Sequence, residues 1–324
     1  MKRPEFYVSI SPHVHSGNSV QKMMFQTLMA LVPVVFAGWF FFGLTALKII
    51  FISMITAVVA EFLWEKIMGL PLRIGDGSSL LTGLLLGLVL STECPWWMPV
   101  LGACVAVIIG KELFGGLGNN PFSSVLVGWT FLQVSYRDLM SSFVVPEPQF
   151  LLESSEYLVD PPLVVLKEEM DMIADVPWMD FLLGNVPGEI GTISVIAVIL
   201  GGAYLLFRRI ITWHIPVSFI LSAWIIGLIF WLTDPEAYAN PVYHIISGWV
   251  LLGAFFIATE RGTAPVTVPG MILYGIGCGA LTIIIRTWGG YMEGVPFAIL
   301  LMNALTPLLD RIRPRAVGRV KKIA

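Results

Sequence analysis

The chain has 324 residues, 56% hydrophobic and only 13% charged, with a mean hydropathy of +0.83. A soluble domain cannot bury that much apolar surface, whereas a bilayer can, which excludes a soluble enzyme and a nucleic-acid partner and leaves an integral membrane protein. The net charge of −3 says little about partners, because acidic and basic residues are segregated along the chain.

Residues 1–23 are polar, carry His13 and His15, and have no short apolar stretch before a small-residue cleavage site. They read as a cytoplasmic N-terminal segment without a cleavable signal peptide. A span needs about twenty apolar residues. Candidate spans follow at 24–43, 46–65, 78–92, 96–112 and 122–135, the third and fifth short enough for half-spans or tilted spans. Residues 136–190 hold eleven acidic residues, from Asp138 to Glu189, opposed only by Arg137 and Lys167. They read as an acidic extracytoplasmic loop, too long for a simple connection, either solvated or a docking surface for an extracytoplasmic partner. Spans resume at 191–208, 214–233, 243–259, 269–286 and 294–310, and residues 311–324 form a basic tail from Arg311 to Lys322. Backbone in lipid must satisfy its own hydrogen bonds, so the expected fold is all-α, with about ten transmembrane helices. With both termini cytoplasmic, Lys66, Arg73, Lys111, Arg208, Arg209 and the tail all face inward; Lys48 is the exception.

Residues 79–132 and 249–308 share one pattern. Each has an apolar helix with an internal Leu-Gly, a polar break, a second apolar helix, then Gly-Gly, Pro-Phe and a third helix. Cys104 stands eleven residues before Gly115, and Cys278 eleven before Gly289. The expected organisation is two five-helix repeats, 24–135 and 191–310, containing broken or half helices. Duplicated halves interrupted at matching places build a polar site at their interface. Cys94, Cys104 and Cys278 form neither a CxxC nor a zinc spacing, so no metal is expected. No GxSxG, HExxH or P-loop is present, and Gly115–Gly118 follow no strand, so they read as a helix break.

Ionisable residues within spans are functional candidates, because each is costly in hydrocarbon. Glu61 and Glu65 lie one turn apart, beside Lys66. Asp310 closes the last span, next to Arg311, and Glu260 lies at the break after the eighth. Arg286 occupies the repeat slot of Glu112 and can pair with Glu293 or snorkel. Each also has a plainer reading as an interfacial salt bridge.

Several stretches carry a resemblance: SPHVHSG at 11–17, LFGGLGNNPF at 113–122, LLGNVPGEIG at 182–191, GGAYLLFRRIITWHIPVSF at 201–219, LLGAFFIATE at 251–260 and GGYMEGVPFAILLMNALTPLLDR at 289–311. This wording resembles RnfD, the D subunit of the Rnf ion-translocating electron-transport complex. It is similar also to the B subunit of the sodium-pumping NADH:quinone oxidoreductase. The resemblance implies a redox subunit of a bacterial or archaeal cytoplasmic (inner) membrane complex that couples electron transfer between ferredoxin and NAD to movement of Na⁺ or H⁺. It would have no catalytic activity alone. Its partners would be other Rnf-type membrane subunits and an extracytoplasmic flavoprotein subunit.

The family joins FMN to a threonine in the outward loop. Here the corresponding window, 159–167, holds no threonine, and no Ser or Thr occurs between Tyr157 and Thr192, so covalent FMN is not expected. A non-covalent flavin, FMN or riboflavin, is expected near Gly116, Asn119, Asn120 and Ser123, with Thr263 and Thr267 from the second repeat. Amides and free N–H groups at a helix break can match the carbonyls and nitrogens of an isoalloxazine; the same residues can equally cap the helix beginning near Pro121. Asp310, Glu260 and Glu61 are the expected ion-pathway residues. The alternatives are a flavin-free structural or ion-conducting scaffold of the same complex, and a solute channel acting alone.

Overall fold

The computed structural model describes residues 19–148, 159, 161, 163, 164 and 178–312. Most of the 159–167 window and the basic tail beyond Ile312 lie outside the described residues. Those described are helical, with no β-strand among them. In chain order the helices are α1 (Val20–Met68), α2 (Ser78–Leu88), α3 (Trp97–Cys104, continued by a π turn over Val105–Ile109), α4 (Ser124–Ser135), α5 (Arg137–Met140), α6 (Trp178–Leu183), α7 (Val195–Phe207), α8 (His214–Thr233), α9 (Pro241–Ile246), α10 (Val250–Leu252, continued by a π turn over Gly253–Ile257), α11 (Val268–Trp288) and α12 (Val295–Leu309). Among the described residues four stretches are long and apolar enough to cross a membrane: Val20–Met68, Trp97–Phe114, His214–Thr233 and Val268–Trp288. The expected spans at 78–92 and 122–135 are short helices, as their length suggested.

The 49-residue α1 is a hairpin. Gly43, at φ 61° and ψ −143°, breaks the helix between the first two expected spans. Gly77 lies against Met24 and Phe25 from one arm, while its neighbour Ser78 shares the Lys111 ammonium with Glu61 from the other. A continuous helix would put residues 25 and 61 roughly 54 Å apart, so the arms must fold back at Gly43. Ser19 caps the first arm by accepting from the Lys22 N–H at 3.1 Å. Ser194, also followed by a valine, caps α7 in the same way.

α2 rises only about 16 Å, half the hydrocarbon thickness, so its end lies deep in the helical body. Its terminal carbonyls find partners in an inserted segment: Gly191 N–H donates to the Leu88 carbonyl at 2.6 Å and Ile190 N–H to that of Leu90 at 3.2 Å. Ile190 is fully buried. The last residues of the segment read as an acidic loop therefore pack among the helices, and α7 starts at Val195 rather than 191.

The expected span 243–259 is corrected to two pieces. α9 ends at Ile246, Gly248 turns at φ 68°, and α10 restarts at Val250. The freed backbone groups are taken by charged side chains: the Trp249 N–H donates to Glu293, and Arg286 donates to the carbonyls of His244 and Ser247. The π turn after α10 also explains an irregularity between the repeats. Gly87 precedes Glu93 by six residues, whereas Gly253 precedes Glu260 by seven. A π turn absorbs one additional residue without ending the helix.

Trp129 of α4 meets Trp249 at 4.8 Å and Phe297 of α12 at 5.9 Å between ring centroids, joining the two halves. α8 and α11 pack through small residues four apart, Ser218 and Ser222 against Gly275 and Gly279. A Cβ on Gly279 would meet the Ala223 nitrogen at 2.7 Å, and one on Gly275 the Ile215 carbonyl at 2.9 Å. Such close backbone approach, by dispersion rather than the hydrophobic effect, holds helices together in lipid. Gly279→Leu is therefore expected to cost about 1–3 kcal/mol and lower the unfolding temperature in detergent. Gly290→Ala, where an added Cβ meets nothing within 4 Å, should leave it unchanged.

Candidate functional site

Lys111 is the hub of one end of the bundle. The π turn over Val105–Ile109 ends just before it, and its side chain is 2% exposed. Its Nζ pairs with Glu61 and donates to Ser78 Oγ at 2.6 Å and Ser79 Oγ at 3.1 Å. An ammonium has three donors, and these three acceptors use them all. Glu112 stands 3.5 Å away as a second acidic neighbour. Glu61 and Glu65 share a face, as their spacing implied, and both are buried. Lys66 is not their partner; it lies over the Phe62 ring, and Glu65 instead accepts the Arg73 N–H at 3.0 Å.

Beside this hub is a cavity of about 290 Å³. Ser78, Thr82, Lys111 and Ser124 line it from the first half of the chain, and Thr259, Glu260 and Arg261 from the second. Leu81, Leu85, Val125 and Phe256 supply apolar wall. Asn120 is buried next to it, its amide donating to the Phe122 carbonyl at 3.0 Å and accepting from the Gly118 N–H at 3.3 Å. The Glu260 carboxylate neighbours both Asn120 and the Ser123 hydroxyl. The Ser123 Oγ is fully buried, with no hydrogen bond of proper geometry.

Not every expected residue joins this group. Gly116, left-handed at φ 90°, faces Arg73 and Glu112. Asn119 is exposed and only spans its own loop to the Gly115 carbonyl at 3.4 Å. Thr267 caps α11 by accepting the Gly270 N–H at 3.2 Å. Asp310 accepts from the N–H groups of Val266 and Thr267 at 2.8 and 3.4 Å, holding the loop before α11. Thr263 is buried between, its carbonyl accepting the Thr306 hydroxyl at 3.0 Å. The structure thus gathers Asn120, Ser123 and Glu260, with Glu61 linked through Lys111, and sets Thr263, Thr267 and Asp310 into a neighbouring cap.

At the opposite ends of α2 and α4 lies a second cavity, lined by Ser91, Gln133, Glu189, Thr192, Ser247, Gly248 and Glu293. Arg286 bonds Glu293 there, at 2.9 Å from Nη2 to each carboxylate oxygen. This is the pairing its position offered. Sequence reasoning missed Lys111 as a functional residue, reading it only as an orientation charge. The signal was present: a lysine directly after an unbroken apolar run. It missed Gln133 and Glu189 as well, and nothing local marks them.

Removing one partner of a buried ion pair leaves the other uncompensated, at about 3–5 kcal/mol. Lys111→Met should strongly lower the thermal stability of the purified chain. Adding Glu61→Gln to that variant should restore a large part, measured by denaturation in detergent.

The chain matches the NQR2, RnfD, RnfE family over residues 7–318. It is 37% identical to the D subunit of the Na(+)-translocating ferredoxin:NAD(+) oxidoreductase complex of Acetobacterium woodii, across 98% of this chain and 96% of the relative. It is 38% identical to the D subunit of the proton-translocating ferredoxin:NAD(+) oxidoreductase complex of Clostridium ljungdahlii, across 96% and 95%. To the D subunit of the ion-translocating oxidoreductase complex of Sodalis glossinidius it is 39% identical, across 97% and 99%. Similarity at this level along nearly the whole length means that the chain belongs to the NQR2, RnfD, RnfE family.

Proposed function

We propose that this chain is a membrane subunit of an Rnf-type complex, in which electron transfer between ferredoxin and NAD drives translocation of Na⁺ or H⁺, and that it holds a non-covalent flavin in the cavity beside Lys111. The relatives named for such complexes support the first part. Those named for Na⁺ and for protons match at 37% and 38%, so overall similarity carries no ion preference. The chain alone is a translocase subunit, without dehydrogenase activity of its own. We place it in the cytoplasmic (inner) membrane with both termini inside, as ten spans in two inverted halves. Two opposed directions support the inversion: α2 starts at the Lys111 end, whereas α10 starts at the Arg286 end and finishes at Glu260. Other membrane subunits and an extracytoplasmic flavoprotein are its partners, the latter facing the 136–190 segment.

The observation that carries the flavin reading is the cavity of about 290 Å³ lined by Lys111, Thr259 and Glu260, with the buried Asn120 and Ser123 side chains next to the Glu260 carboxylate. That volume is near the lower bound of about 300 Å³ for small-molecule sites, which are walled by apolar side chains with a few placed polar groups. Asn120 and Ser123 would hold the polar edge of the ring system, and Leu81, Leu85, Val125 and Phe256 its faces. A flavin there supplies redox chemistry that protein side chains lack. The Lys111 ammonium at the cavity wall is matched by Glu61, with Glu112 at 3.5 Å, so it brings no net positive charge to a bound ring system. Covalent FMN is not proposed, because a phosphoester needs a hydroxyl and the 159–167 window has none. In the ion path Glu260 is the leading residue. Glu61 is already neutralised by Lys111, and Asp310 is engaged by two N–H groups.

The purified chain should be yellow, and acid precipitation should release all its flavin into the supernatant. Asn120→Ala should strip most of the flavin while the chain still folds; unchanged flavin content in that variant would retire this site. A colourless wild-type preparation would favour the scaffold reading instead. Glu260→Gln in the reassembled complex should reduce ion transport into vesicles at least tenfold with subunit assembly intact. Asp310→Asn should chiefly lower thermal stability.

A further inference from the structure

The second cavity, at the other end of the bundle, has a charge that nothing in the described residues compensates. Three of the buried acids near the two cavities sit with a cation. Glu61 and Glu112 have Lys111, and Glu293 has Arg286. Glu189 does not. Its Oε2 accepts the Thr192 hydroxyl at 2.8 Å, and the indole of Trp249 lies beside it; both are neutral donors. Its own backbone N–H is the remaining donor, neutral as well.

Gln133 of α4 lines the same cavity. This residue is 7% exposed, and its amide makes no hydrogen bond among the described residues. A polar side chain in a buried place is normally bonded, and a bare amide facing a cavity calls for an occupant. The interior volume is about 50 Å³. A water needs roughly 10–15 Å³ on this scale, so there is room for a few waters or one partly hydrated ion, and too little for a flavin.

The charge and donor set narrow the class. One uncompensated carboxylate matches one positive charge. A carboxylate, an amide carbonyl and water are hard oxygen ligands, suited to alkali and alkaline-earth cations rather than to softer metals. Among the described residues no three His, Cys, Asp or Glu side chains converge as a transition-metal site would require. Both halves of the chain contribute: Ser91 and Gln133 from the first, Glu189, Ser247 and Glu293 from the second.

We infer that this cavity is a binding site for a partly hydrated monovalent metal cation of the Na⁺ class, with Glu189 as the charged ligand and Gln133 as a neutral one. It is separate from the flavin cavity, at the other ends of α2 and α4. It stands whether or not a flavin binds.

The test uses the full purified chain in detergent, with Na⁺ itself as the probe. A ligand that binds only the folded state raises the unfolding temperature by mass action. At roughly five times its dissociation constant, Na⁺ should raise the wild-type value by about 2–4 °C over choline at equal ionic strength. Glu189→Gln and Gln133→Leu should each lose that rise, and Gly290→Ala, outside both cavities, should keep it. If Glu189→Gln does not fold, Gln133→Leu carries the comparison. A wild-type chain that responds equally to Na⁺ and choline overturns the site, and so does a full rise in both cavity variants. Flavin absorbance in the same samples separates this result from the flavin reading, since a colourless chain can still respond to Na⁺.

Discussion

The constraint on which the structure depends is that backbone inside lipid must find its hydrogen bonds within the protein. Long helices meet it by themselves. This chain also has helices that stop part-way, and every stop needs a partner for its loose N–H and carbonyl groups. At the end of α2 the partner is other backbone, the inserted stretch around Ile190 and Gly191. At the break before α10 it is Arg286 and Glu293. At the break before α11 it is Asp310. Charged residues that are costly in hydrocarbon are thus retained where they replace lost helical bonds.

The interruptions are also where space opens. A helix that ends early leaves a gap, and its neighbours' polar groups face that gap. The two cavities lie at opposite ends of α2 and α4, each formed from both halves of the chain. Each has a buried ion pair at its edge, Lys111 with Glu61 and Arg286 with Glu293. Arg286 stands in the repeat slot of Glu112, next to Lys111. The two cavities differ in size. The cavity beside Lys111 has room for a ring system, and the one beside Arg286 only for a small ion with water.

Much of this was legible beforehand. Composition sufficed for the membrane class, and internal similarity marked where the helices break. Gly43, Ser78, Val268 and Val295 all lie within a few residues of the expected boundaries, because span limits depend on local hydropathy and on Gly and Pro. Asn120, Ser123 and Glu260 were singled out from wording at helix breaks, and they do meet. The misplacements have a common cause. Asn119, Thr267 and Asp310 are polar residues at breaks too, but side chains at helix ends serve caps as readily as ligands. Residue type does not separate the two uses. The span expected at 243–259 is mostly apolar, with His244 and Ser247 near its start, and its break at Gly248 is held by Arg286 and Glu293, some forty residues further along the chain.

The amino-acid sequence by itself determined the class, the family, the repeated wording of 79–132 and 249–308 and the absence of a hydroxyl in the 159–167 window, since each depends on residue identity and order alone. Only the tertiary structure decided that Lys111 answers Glu61, that no cation among the described residues answers Glu189, and that Gln133 faces a cavity. Those are statements about which side chains meet across long separations, and in a membrane body they follow from how interrupted helices pack, not from any local pattern.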